Sequence, residues 1–157
     1  MKKKITLLLL TVAFCILTIF GSSNAATAPT KASVVKEVVD YFYNGQEEGP
    51  ILVESKLCKT IKSLNCEEVM DSNIISIGEP VKVWAQFFVP KGGVYDDIFV
   101  EYKHEGMPRN LKARKVEGSI RYRFIDTYKP DKIGKWTITI KKGLTDLKSF
   151  DIEVIKK

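Results

Sequence analysis

The chain reads as a mainly β protein, an antiparallel immunoglobulin-like β-sandwich of about seven strands with a short N-terminal helix. Three observations predict it. From Ile51 onward, apolar and polar residues alternate with a period of two through six or seven short stretches. Turns containing Gly or Pro separate these stretches about every ten residues, and no helical period intervenes. The 157 residues are 45% hydrophobic and 28% charged, the composition of a folded soluble domain. That composition excludes disordered, collagen-like and multi-span membrane chains.

The N-terminus reads differently from the rest. Lys2, Lys3 and Lys4 are followed by an apolar run from Ile5 to Phe20, interrupted only by Thr6, Thr11 and Thr18. Small residues Ser23 and Ala25 then precede Ala26, which is the three-part pattern of a secretory signal peptide over residues 1–25, cut after Ala25. An uncleaved anchor helix is the rival reading, although the run is shorter than the roughly 20 residues of a spanning helix. Cys15 follows bulky Phe14 inside the run, so no lipoprotein box is present. Cleavage predicts a periplasmic or secreted protein with no membrane span. It leaves 22 basic against 19 acidic residues, net +3, which disfavours a uniformly basic nucleic-acid binder.

Residues 26–48 read as a linker and an amphipathic helix. Ala26 to Lys31 is small and Pro-containing, Ser33 is positioned as an N-cap, and Val34, Val35, Val38, Val39 and Phe42 recur at helical spacing before Asn44-Gly45. A strand turning at Asn44-Gly45 is the alternative. Residues 49–157 form the sandwich. Ile51, Val53 and Ser55 alternate with Leu52, Glu54 and Lys56. Val81, Val83, Ala85 and Phe87 share one face, with Lys82, Trp84, Gln86 and Phe88 on the other, and Pro90 to Gly93 reads as a turn. Ile98, Val100 and Tyr102 form the next inward row, broken at Gly106-Met107-Pro108. Ile120, Tyr122 and Phe124 then face the core while Arg121 and Arg123 point outward. After Pro130-Asp131 and Gly134 come Trp136, Ile138 and Ile140, and finally Phe150, Ile152 and Val154. Both remaining cysteines precede Trp84, so the Cys–Trp–Cys order of antibody domains is absent and the likeness is architectural.

Chemistry has few residues to use. Once the signal is removed, Cys58 and Cys66 are the only cysteines, and in an oxidising compartment a lone pair reads as a disulfide worth about 2–3 kcal/mol. A redox dithiol or thiolate metal site is the alternative, but the spacing exceeds CxxC and no histidine lies near. His104 is the only histidine, and no GxSxG elbow, phosphate loop or dinucleotide fingerprint is present. The expectation is therefore a non-catalytic protein with no metal or cofactor. Asp96-Asp97 follows a Gly-rich turn but lacks the pattern of a calcium loop. A metal-dependent or hydrolytic enzyme remains the rival, and it requires Asp96, Asp97, Glu101 and His104 to converge.

Charge is the uneven feature. Between Lys103 and Arg123 seven basic residues face two acids, net +5, leaving −2 for the rest of the mature chain. Lys103, Arg109, Lys112, Arg114, Arg121 and Arg123 are the candidate contact for an anionic envelope glycan, a lipid headgroup or an acidic protein. The plainer reading is a solvated face whose edge cations discourage aggregation. Trp84 and Phe88 either form a second core beneath the helix or an exposed platform that stacks sugars.

Several motifs carry a resemblance. Tyr41-Phe42-Tyr43-Asn44-Gly45, Gly49-Pro50-Ile51-Leu52, Cys58, Cys66, Val83-Trp84 and Phe88-Val89-Pro90-Lys91-Gly92 are similar to those of a group of small exported bacterial proteins. Arg121-Tyr122-Arg123 and Gly134-Lys135-Trp136 continue it, and the C-terminal two-thirds resembles the bacterial domain of unknown function twenty-nine fourteen. The resemblance implies an envelope-associated β-sandwich and brings no catalytic residue with it.

Overall fold

Alternating apolar residues commit the chain to strands that must bury one face, and a single seven-stranded sheet does so by folding back on itself into two leaves. The computed structural model describes residues 32–37 and 49–157. The strands are β1 (Ile51–Lys62), β2 (Asn65–Val69), β3 (Ile74–Ser76), β4 (Val81–His104), β5 (Met107–Tyr128), β6 (Gly134–Lys142) and β7 (Thr145–Ile155). The mainly β, immunoglobulin-like architecture expected from the alternation is present. Pairing is antiparallel except between β3 and β7, which run parallel.

One hairpin builds both leaves. The first half of β4 pairs with β1 on one side and with the second half of β5 on the other. The second half of β4 pairs with β6 and with the first half of β5. The strand therefore crosses between leaves, and its ladder with β5 slips between Val89 and Ile98. Pro90 to Gly93 does not separate two strands, as the sequence suggests; it bulges out of one continuous strand at this crossing. Gly118 lies beneath the bulge, where a Cβ would come within 2.8 Å of the Pro90 carbonyl oxygen and the Gly92 nitrogen. The hairpin itself turns at Glu105-Gly106, both at positive φ, so Pro108 belongs to a strand whose outer edge needs no N–H.

The core lies between the leaves. Val81, Val83, Ala85 and Phe87 from one meet Ile98, Val100, Tyr102, Trp136, Ile138 and Ile140 from the other, each no more than 1% exposed. Each such side chain contributes roughly 1.5–3 kcal/mol by leaving water. Ile120 corrects the expected inward row: it is 70% exposed. Ser119 opposes Val89 and Tyr122 opposes Phe87, so β5 holds one residue more than β4 there and Ile120 is pushed outside.

Trp84 and Phe88 are also buried, on the outer face of the first leaf and apart from the main core. The β1–β2 hairpin curls over this face. Its turn residues Ser63 and Leu64 lie at φ 47° and 62°, and the Trp84 indole N–H donates to the Leu64 carbonyl at 2.7 Å. A Cys58–Cys66 disulfide staples the hairpin. Trp84 is therefore no sugar platform. Residues 32–37 are helical and bury Val34; the remainder of the expected helix, and the whole signal segment, lie outside the described residues. Among the described residues no helix is long and apolar enough to cross a membrane.

Candidate functional site on strand β5

All six candidate cations lie on β5 or at the end of β4, and strand parity separates them. Lys112 and Arg114 oppose Val100 and Ile98, inward residues, so both side chains turn toward the inter-leaf space. There they meet Asp126, which is 1% exposed and comes from the second half of the same strand. Lys112 Nζ donates to Asp126 Oδ1 at 3.2 Å and to the Thr127 carbonyl at 2.7 Å. Arg114 bonds the same carboxylate, and the Tyr102 hydroxyl donates to Oδ2 at 2.5 Å. The cluster ties one leaf to the other across the open side of the sandwich.

Burial sets its electrostatics. It pushes the Tyr102 phenol well above its ordinary range against the influence of Arg114, so this hydroxyl keeps its proton as a donor. Burial and then the Arg114 charge lower the Lys112 ammonium. Lys112 also stands over the rings of Tyr102 and Tyr128, which stack with centroids 4.4 Å apart. These two cations are engaged within the fold by a buried carboxylate.

Lys103 and Arg109 are also matched to acids. Lys103 pairs with Glu101 at 3.1 Å, and Lys141 approaches the same carboxylate at 3.4 Å. Burial opposes ionisation of Glu101, but the two lysines outweigh it and hold its carboxyl below the usual range. Arg109 sits 3.9 Å from Asp131.

Arg121 and Arg123 differ. Both point outward on the first leaf. Arg123 opposes Gln86, donates from Nε to its Oε1 at 3.0 Å, and donates from Nη1 to Asn65 Oδ1 at 2.6 Å. Both acceptors are neutral amides, so among the described residues the charge is oriented but not compensated. Arg121 is exposed; its backbone N–H donates to Ser119 Oγ at 3.1 Å, and its guanidinium has no partner among the described residues. Glu54, across β4 from Arg123, is taken by Lys56 at 2.9 Å. Arg121 and Arg123 thus stand two positions apart as like charges, with no carboxylate on either among the described residues.

The enzymatic constellation does not form. Asp96, Asp97, Glu101 and His104 are spread along one strand at about 3.3 Å per residue, and Glu101 and His104 have opposite parity. Glu101 is committed to its lysines. His104 Nε2 lies 2.8 Å from the Ile133 carbonyl and packs against Trp136, which fixes the β5–β6 connection. Among the described residues no three His, Cys, Asp or Glu side chains gather to hold a metal. A groove of about 410 Å³ beside β3, lined by Ile74, Thr137, Asp151 and Glu153 among others, is bordered by none of the four.

Sequence reasoning missed Asp126, Gln86 and Asn65. The first was detectable, since Tyr122, Phe124, Asp126 and Tyr128 put an acid in an inward row. Asn65 was not, because its contact with Arg123 spans 58 positions and depends on the curl of the hairpin.

No protein-family model and no curated protein matches the chain. Among solved structures, an immunoglobulin-like protein from Pseudomonas aeruginosa is similar at 12% identity and TM-score 0.47, over 65% of this chain and 92% of that one. The CARDB domain of a Pyrococcus furiosus protein is similar at 11% identity and TM-score 0.41, over 70% and 99%. A β-glucosidase from Erythrobacter marinus is similar at 9% identity and TM-score 0.46, over 68% of this chain but 15% of its own. The architecture rests on the strand pairing itself.

Proposed function

We propose that this chain is an exported, non-catalytic binding module of the bacterial envelope, periplasmic or secreted, that contacts an anionic partner through the outward cations of β5. The observation that carries this reading is the split along the strand. Lys103, Arg109, Lys112 and Arg114 have carboxylate partners within the fold, whereas among the described residues Arg121 and Arg123 have none. The contact is thus narrower than the stretch of charge suggests. Export is supported by the signal-like residues 1–25 and by the Cys58–Cys66 disulfide. The anionic class covers an envelope glycan, a lipid headgroup or an acidic protein.

The test is retention on anionic vesicles, lipopolysaccharide and peptidoglycan at two salt concentrations. An Arg121→Glu/Arg123→Glu double variant should lose retention, and wild-type retention should fall with salt. A Lys103→Glu/Arg109→Glu variant should lose much less. Equal retention by wild type and the Arg121/Arg123 variant overturns the reading. Intact mass of exported protein, before and after reduction and alkylation, tests the address: residues 1–25 absent, and two thiols appearing only after reduction.

A further inference from the structure

Resting on the reading of an anionic partner, we infer that Arg121 and Arg123 form a built oxyanion site that takes a phosphate-type group, with Gln86 and Asn65 as its positioning residues. A patch that works by charge alone needs no particular geometry. This one has it. The Arg123 guanidinium is held at two nitrogens, Nε by Gln86 from the adjacent strand and Nη1 by Asn65 from the tip of the β1–β2 hairpin. Its Nη2 has no partner among the described residues, so the planar fork presents a fixed donor end rather than a freely swinging charge. Arg121, two positions along the strand and exposed, supplies a second fork whose side-chain donors have no partner among the described residues.

The spacing selects the ligand. Side chains about 7 Å apart along a strand can converge on one tetrahedral oxyanion, each giving two N–H groups to different oxygens. A carboxylate offers two oxygens and satisfies one fork; a phosphate offers enough for both. The positioning depends on the staple as well. Asn65 directly precedes Cys66, whose bond to Cys58 fixes the hairpin that brings the amide over the sheet. The phosphate can belong to a lipid headgroup, to a phosphorylated glycan or to free inorganic phosphate.

The experiment follows the Arg123 Nε–H resonance by NMR while inorganic phosphate, and separately acetate, is added to the purified protein. Three variants join it: Asn65→Ala, Arg123→Lys and Arg121→Ala. Asn65→Ala leaves net charge unchanged, and Arg123→Lys keeps the charge while removing the fork; for the latter, backbone amides of β5 report. A saturable shift with phosphate is expected, weakened about fivefold by Asn65→Ala and at least tenfold by Arg123→Lys or Arg121→Ala. Acetate should bind more weakly than phosphate. Vesicles of phosphatidylglycerol against phosphatidylcholine, and phosphorylated against unphosphorylated glycan, then separate the sources. If Asn65→Ala and Arg123→Lys bind phosphate like wild type, the built site is overturned while a charge-only contact survives. If no variant or wild type gives a saturable shift, the phosphate assignment falls, whatever the retention assays show. Retained thermal unfolding and an intact disulfide in Asn65→Ala establish that any loss is local.

Discussion

Between Met107 and Glu117, β5 directs Lys112 and Arg114 inward, where a buried carboxylate and a phenol consume their charge. Between Ser119 and Tyr128 the same strand directs Arg121 and Arg123 outward, where their surroundings offer amides and solvent. Each half carries such a pair of cations two residues apart; orientation and partners differ. A run of basic residues on an edge strand is thus two devices joined end to end. One closes the sandwich, and the other, without a carboxylate partner among the described residues, is the proposed contact. The difference teaches that cation count along a strand says little until each charge is assigned a face and a counter-charge.

The largest break in that comparison should come from its inward half. Asp126→Ala leaves the buried Tyr102 hydroxyl and the half-exposed Arg114 and Lys112 without their common acceptor, and should destabilise by about 2–3 kcal/mol in urea denaturation. A loss below about 1 kcal/mol would show that the leaves stay closed without the carboxylate. Removing the staple, as Cys58→Ala/Cys66→Ala, ranks next. It should cost about 2–3 kcal/mol and shift Trp84 emission to the red as the hairpin loosens over the indole. Unchanged emission would mean that the hairpin holds its place without the disulfide.

Glu101→Gln probes a pair from the compensated group at smaller scale, about 1 kcal/mol at neutral pH. Because the folded carboxyl lies below its unfolded value, its contribution is full above that unfolded value, near 4.3, and is lost as pH falls through the folded one. The gap between wild type and variant should therefore close in acid; a gap that persists in strong acid would assign the effect to packing instead. The smallest stability effect belongs to the outward half. Arg121→Glu/Arg123→Glu loses only the exposed amide contacts of Arg123 and should stay within about 1 kcal/mol of wild type by thermal denaturation while losing the proposed anionic partner. Should this variant unfold readily, the two arginines are structural and the contrast between the halves disappears.

Much of the fold was legible in advance. The rows Val81 to Phe87, Ile98 to Tyr102 and Trp136 to Ile140 announced their buried faces, because burial acts on every second residue of a strand. The segments between them were less legible. Asn65–Val69 and Ile74–Ser76 are short edge strands whose exposed side chains leave little alternation to read, and the run from Met107 to Val116 hides its register behind charge. Ile120 misled for a different reason: its apolar character fits an inward row, but one additional residue in β5 pushes it out.

By itself the sequence determined the strand-rich class, the apolar rows that become the core, the availability of one cysteine pair, and the place where positive charge collects. Those are local properties, fixed by side-chain chemistry and a two-residue period. Tertiary structure alone decided which cations are spent and which are left. Asp126 reaches Arg114 and Lys112 only because β4 and β5 cross from one leaf to the other, and Asn65 reaches Arg123 only because a stapled hairpin curls over Trp84. A charge acquires its role from the partner it meets in space, and that partner is set by the folding of the sheet rather than by its neighbours in the chain.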